Sequence, residues 1–143
     1  MKTVLGALLT VVLICGFPSG RAQDTLDHKV SVREIMISAI TPATNTLWGA
    51  DDPATEEAWQ ALADAAVVVI ATGTLVKNGG AGPEDNAWAK EEAWQAFAQT
   101  MRDAGVDALA AARANDIDAL MTAGEVMYPP CEECHLQFHP DMQ

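Results

Sequence analysis

The chain has 143 residues, half of them hydrophobic, and 20 acidic side chains against 8 basic ones give a formal charge of −12 at pH 7. That length bounds the chain to one domain plus any targeting segment. The acidic balance argues against nucleic acid and anionic membrane surfaces as partners, and favours solubility and basic protein partners steered in at long range.

Met1 to Ala22 reads as a signal peptide. Lys2 precedes an apolar stretch from Val4 to Ile14, and Phe17-Pro18-Ser19-Gly20-Arg21-Ala22 follows, with small residues placed for cleavage after Ala22. The apolar run is well short of the ~20 residues that a membrane span requires. A lipid anchor on Cys15 is disfavoured because Ile14 stands where a small residue is needed. Cleavage would leave residues 23–143 as a periplasmic domain without a membrane span. It would remove Lys2, Arg21 and one of the three cysteines, so the mature chain keeps only Cys131 and Cys134 and has no separate structural disulfide.

The periodicity is helical almost throughout the mature chain. A first helix is predicted from about Thr25 to Trp48, with Val32, Ile35/Met36, Ala39/Ile40, Ala43 and Leu47 on one face and a bend at Pro42. Asp52-Pro53 is expected to open the second, with Asp52 as N-cap and Glu56 and Glu57 in the first turn. Its inner stripe would be Trp59, Leu62, Ala66, Val69, Gly73 and Val76. The run Val67-Val68-Val69-Ile70 resembles a strand, but helical pattern continues on both sides and the chain offers nothing to pair with it.

Asn78-Gly79-Gly80-Ala81-Gly82-Pro83 is the clearest loop. A third helix should run from Pro83 to about Ala114, burying Trp94, Phe97, Met101, Ala104 and Ala108. Asn115-Asp116 forms a corner before a fourth, whose stripe is Ile117, Leu120/Met121, Gly124 and Met127/Tyr128. Pro129-Pro130 should interrupt it and start a separate helical turn at Pro130. The Asp and Glu residues fall mostly on outward faces or at helix starts. Short loops between such helices make the fold all-α, most simply an antiparallel up-down four-helix bundle.

The last of these segments carries the chemistry. Cys131-Glu132-Glu133-Cys134-His135 is a C-x-x-C-H run, the pattern of c-type haem attachment. Two thiols three positions apart on a helical turn form thioethers to the two vinyl groups of one haem, and the adjacent imidazole reaches the iron from the same side. A thiol–disulfide C-x-x-C would want a βαβ context, which the Ala-rich helical chain does not offer. Zinc on Cys131, Cys134, His135 and His139 is disfavoured, because adjacent residues such as Cys134 and His135 rarely both reach one tetrahedral ion.

With this motif at the C-terminus of a helical chain, and with Arg33-Glu34-Ile35-Met36 leading to Ile40-Thr41-Pro42-Ala43-Thr44-Asn45-Thr46-Leu47-Trp48, the sequence resembles the class II cytochromes c, the cytochrome c-prime and cytochrome c556 family of four-helix haem proteins. The likeness spans essentially residues 24–143. It implies one covalent haem c on Cys131 and Cys134, with His135 as the proximal axial ligand of iron. It further implies Met36 as the distal axial ligand of the low-spin members, and Arg33 as the first-helix basic residue near a haem propionate. Ordinary core packing is the alternative for Met36, and a solvated charge the alternative for Arg33.

Met101, Met121 and Met127 fit the inner stripes of their own helices, His28 falls near a helix start, and His139 lies on the proximal side, four residues after His135. Trp48, Trp59, Trp88 and Trp94 are accounted for by core packing or a subunit contact. The resulting expectation is a periplasmic electron carrier and not an enzyme, with a redox partner bearing a basic docking surface. Relatives often dimerise through the first two helices. The competing function is a five-coordinate binding protein for nitric oxide or carbon monoxide, and Met36 discriminates the two.

Overall fold

The structure, a computed structural model, describes residues 29–139. The segment Met1–Ala22, the expected helix start at Thr25, and His28 lie outside the described residues. Helix accounts for 79% of those residues and no strand occurs among them, so the fold is all-α. Val67 to Ile70 lie within a helix, as the surrounding pattern required.

The first helix begins at Val32, later than the 3.6-residue pattern indicated. Its opening is a capping box: Ser31, extended at φ −76° and ψ 158°, accepts from the Glu34 N–H, while the Glu34 carboxylate accepts from the Ser31 N–H at 2.8 Å. Three stretches then run on without a break: α1 (Val32–Ile35), a π-helical turn (Met36–Ile40) and α2 (Thr41–Trp48). The π turn ends two residues before Pro42. Proline offers no N–H to the Ser38 carbonyl, and the Thr41 N–H reaches back five residues to the Met36 carbonyl instead. The sequence bend is thus realised as a widened turn that starts at Met36.

α3 (Glu56–Lys77) is capped by Thr55 and not by Asp52. The Thr55 hydroxyl accepts from the Ala58 N–H at 3.2 Å, whereas Asp52 takes a left-handed conformation (φ 40°) in the preceding connection. Glu56 and Glu57 still occupy the first turn, and all six expected inner residues are buried. α3 is the one helix among the described residues long and apolar enough to cross a membrane, and its inner stripe is covered by α2 and α5.

The expected third helix is two. α4 (Asp85–Trp88) ends in a turn at Ala89 and Lys90, and α5 (Glu92–Ala114) starts after extended Glu91. The break is stabilised from the side: the Gln95 amide donates to the carbonyls of Ala89 and Lys77, both at 2.7 Å. Trp88 lies against both Trp94 and Phe138. Asn115, left-handed at φ 54°, makes the corner, and Asp116 caps α6 (Ile117–Phe138) by accepting from the Ala119 N–H.

α6 corrects a further expectation, because it continues through Pro129 and Pro130 to Phe138. The two prolines deprive the Glu125 and Val126 carbonyls of their helical donors. Both residues are exposed, so solvent can satisfy what the ladder loses. The helix therefore carries the cysteines as a direct extension of a buried stem anchored by Leu120 and Met127.

α3 packs along α5, α5 along α6, and α2 against α3 and α6. The shared core is rich in alanine, with Ala66, Ala104, Ala108 and Ala112 almost fully buried, which lets backbones approach closely. Gly124 does the same for a ring: a Cβ there would lie 3.2 Å from Trp48 Cδ1. Two members of the expected fourth stripe, Met121 and Tyr128, are exposed instead. They flank the buried line of Leu120, Ala123, Gly124 and Met127.

Candidate functional site

One cleft lies between the first helix and the C-terminal part of α6, enclosing about 690 Å³, part of it open to solvent. α6 contributes Pro130, Cys131, Cys134 and His135. The first helix contributes Met36, Ile40, Thr41, Thr44, Asn45 and Trp48. Val76 of α3 and Trp94, Phe97, Ala98 and Met101 of α5 complete the lining. Four of the five residues singled out from the sequence therefore meet at one place, although Met36 and the C-x-x-C-H run lie at opposite ends of the described chain.

Local structure explains the convergence. In an α-helix, positions three and four apart share a face, so Cys131 and Cys134 present both thiols to the same wall, with His135 beside them. Both thiols are free and half-buried, and the Cys131 thiol donates to the Met127 carbonyl at 3.2 Å. Burial pushes the Cys131 thiol up to about 11. Burial together with neighbouring Cys131 pushes Cys134 up to about 12. Such thiols stay protonated at neutral pH, the opposite of the activated cysteine of a disulfide oxidoreductase.

His135 is shifted the other way. Burial first, and the charge of His139 second, hold its imidazole below the usual histidine range. Both effects favour the neutral form, in which a ring nitrogen can serve as a metal ligand. His139 lies at the C-cap of α6, where its N–H donates to the His135 carbonyl at 2.9 Å. It lines a neighbouring concavity with His135, Glu132 and Leu136 and not the cleft that holds Met36.

Met36 is half-buried against the core at the start of the π turn, a local geometry often found at functional positions. Arg33 is exposed on the first turn and is not among the residues lining the cleft. Met101 is buried and lines the cleft, while Met127 is fully buried in the core. Met121, expected on an inner stripe, is 58% exposed.

The aromatic residues have more specific places than general packing implied. The Trp94 indole N–H donates to the Val76 carbonyl at 2.9 Å, fixing that ring at the inner end of the cleft. Trp48 lies at the rim, donates to the Gly124 carbonyl at 3.2 Å, and meets Tyr128 edge-on at 5.9 Å between centroids. Periodicity alone shows no reason for this bond, although the facing Gly124 is the small residue it needs.

Asp85 went unnoticed among the acids assigned to outward faces, and it is buried. Its Oδ2 accepts from the N–H groups of Val32 and Gly82, both at 2.8 Å. The adjacent glycine loop was the available signal, since such a loop presents bare backbone donors.

Among the described residues, no three His, Cys, Asp or Glu side chains converge as a metal site would need. Cys131, Cys134, His135 and Met36 together line a mostly apolar cleft, and these are residue types that could attach a haem and ligate its iron. Comparison of the chain with protein-family models, with curated proteins and with solved structures found no match in any of the three.

Proposed function

We propose that the chain is a periplasmic c-type cytochrome of the class II kind, an electron carrier holding one covalent haem in an antiparallel four-helix bundle. The observation that carries this reading is the single cleft lined together by Cys131, Cys134, His135 and Met36. The haem would supply a one-electron ferric/ferrous couple. Every other part of the task falls to the chain.

Cys131 and Cys134 would tether the group through thioethers, so that it cannot dissociate. His135 would bind iron from α6 and Met36 from the first helix, a pairing that raises the potential of the couple. Val76, Trp94, Phe97 and Met101 shield the inner side from water and lower the local dielectric. Trp48, with Tyr128 packed edge-on against it, marks the open rim, where a partner would approach. The acidic surface would select a partner with a basic face. Met1–Ala22 would direct export and be removed.

The optical spectrum of the purified holoprotein tests the ligation. The expected spectrum is that of low-spin ferric iron with the weak near-infrared band of a methionine–iron bond, with slow or poor carbon monoxide uptake by the ferrous form. High-spin iron with immediate uptake of the gas would replace the carrier reading with that of a gas-binding protein.

A further inference from the structure

We infer that Asp85 is a positioning residue for Met36, acting through the opening turn of the first helix; the inference rests on the haem reading above. Asp85 is the one charged side chain buried among the described residues, at 5% exposure. A buried carboxylate is costly to desolvate unless several donors meet it, so its partners show what it does.

Those partners are backbone. Val32 is the first residue of α1, and its N–H is one of the donors that no helical carbonyl reaches. Asp85 Oδ2 takes that N–H at 2.8 Å and the Gly82 N–H at the same distance. The glycine loop closes around the pair: a Cβ on Gly80 would stand 2.5 Å from Asp85 Oδ2 and 2.8 Å from Val32 N, so a side chain there would force them apart. The Ala81 N–H adds a bond to the Val30 carbonyl at 2.9 Å. The segment entering the first helix is thereby fixed from outside, while the Ser31–Glu34 box fixes it from within.

Met36 is the next link. Its own N–H donates back to the carbonyls of Val32 and Arg33, and its carbonyl accepts from Thr41 to form the π turn. A continuous line of hydrogen bonds therefore runs from the Asp85 carboxylate through Val32 to the Met36 backbone. Met36 lines the cleft and Asp85 does not, so Asp85 acts on the site only by fixing where the helix starts. The same loop follows α3 and leads into the segment whose Trp88 lies against Trp94 and Phe138, which ties the distal wall to the aromatic end of the core.

The test uses holoprotein of Asp85→Ala, Asp85→Asn and Gly80→Ala. Thr55→Ala serves as the control, because it removes a cap from α3 and leaves the Asp85 contacts intact. Two readouts are taken: the near-infrared methionine–iron band, and amide hydrogen exchange over residues 35–40. Asp85→Ala and Gly80→Ala should lose most of the band and speed exchange there by about tenfold or more, with α5 unchanged. Asp85→Asn, which keeps an acceptor oxygen, should retain the band, as should Thr55→Ala. A band that survives both Asp85→Ala and Gly80→Ala overturns this inference alone, and so does equal loss in Thr55→Ala. A wild type with no such band overturns Met36 ligation and this inference with it.

Discussion

Replacing Pro129 by alanine should make the protein more stable, because α6 runs through this position as a helix. Alanine restores an N–H opposite the exposed Glu125 carbonyl and removes a ring that crowds it. The restored bond contributes about 0.5–1.5 kcal/mol net, and the full interior preference for alanine over proline is about 3 kcal/mol. Against this, the freer unfolded chain costs roughly 0.4–1 kcal/mol. Since Pro129 is exposed, little buried area is lost with the ring. The balance is a gain of about 1–2 kcal/mol, read as a higher urea midpoint at unchanged m-value in circular dichroism. Pro130 is buried and lines the cleft, so Pro130→Ala should gain less. If Pro129→Ala lowers the midpoint, the prolines are terminating one helix and starting another, and the continuous stem argued for the cysteines is wrong.

Met36→Ala should give high-spin ferric iron, a lower potential and rapid carbon monoxide binding, all read on the same holoprotein by spectroscopy and titration. In haem-free protein, the burial that raises Cys131 and Cys134 to about 11 and about 12 should make both thiols react slowly with iodoacetamide near pH 8, compared with the urea-unfolded chain. Glu34 is held below its usual value of 4.5, first by the Ser31 backbone N–H and then by its side chain. Its contribution is therefore complete above pH 4.5 and is lost as pH falls through the lowered folded value, so helicity of residues 32–36 should weaken in acid and Glu34→Gln should flatten that dependence in a hydrogen-exchange profile.

The inner stripe of α3 and the Asn115-Asp116 corner were legible in the sequence because each rests on local chemistry: apolar spacing in one case, a left-handed residue and a capping carboxylate in the other. The cap of α3 was misplaced for an instructive reason. Asp52-Pro53 and Thr55 both satisfy the rules for a helix start, and only the left-handed backbone at Asp52 decides between them. Ser31-x-x-Glu34 was readable as a capping box and would have moved the first helix start to Val32.

The break before α5 is different in kind. It depends on Gln95 reaching two carbonyls and on Trp88 finding Trp94 and Phe138, contacts that tertiary packing alone creates. Asp85 belongs to the same class, since its burial follows from the loop folding over it. For the cleft, the motif named Cys131, Cys134 and His135 on spacing, and the family resemblance named Met36. That these four share one wall-to-wall space with Trp94 and Met101 required the fold.

Covalent haem at Cys131 and Cys134 is the centre of the proposed function. The most direct measurement is the intact mass of protein purified from a periplasmic fraction, taken after denaturation and acid–acetone extraction. A mass equal to residues 23–143 plus one haem is predicted, with the cofactor remaining on the polypeptide and much less holoprotein in Cys131→Ala and Cys134→Ala. Haem released into the acetone, or a chain of unmodified mass, would contradict it.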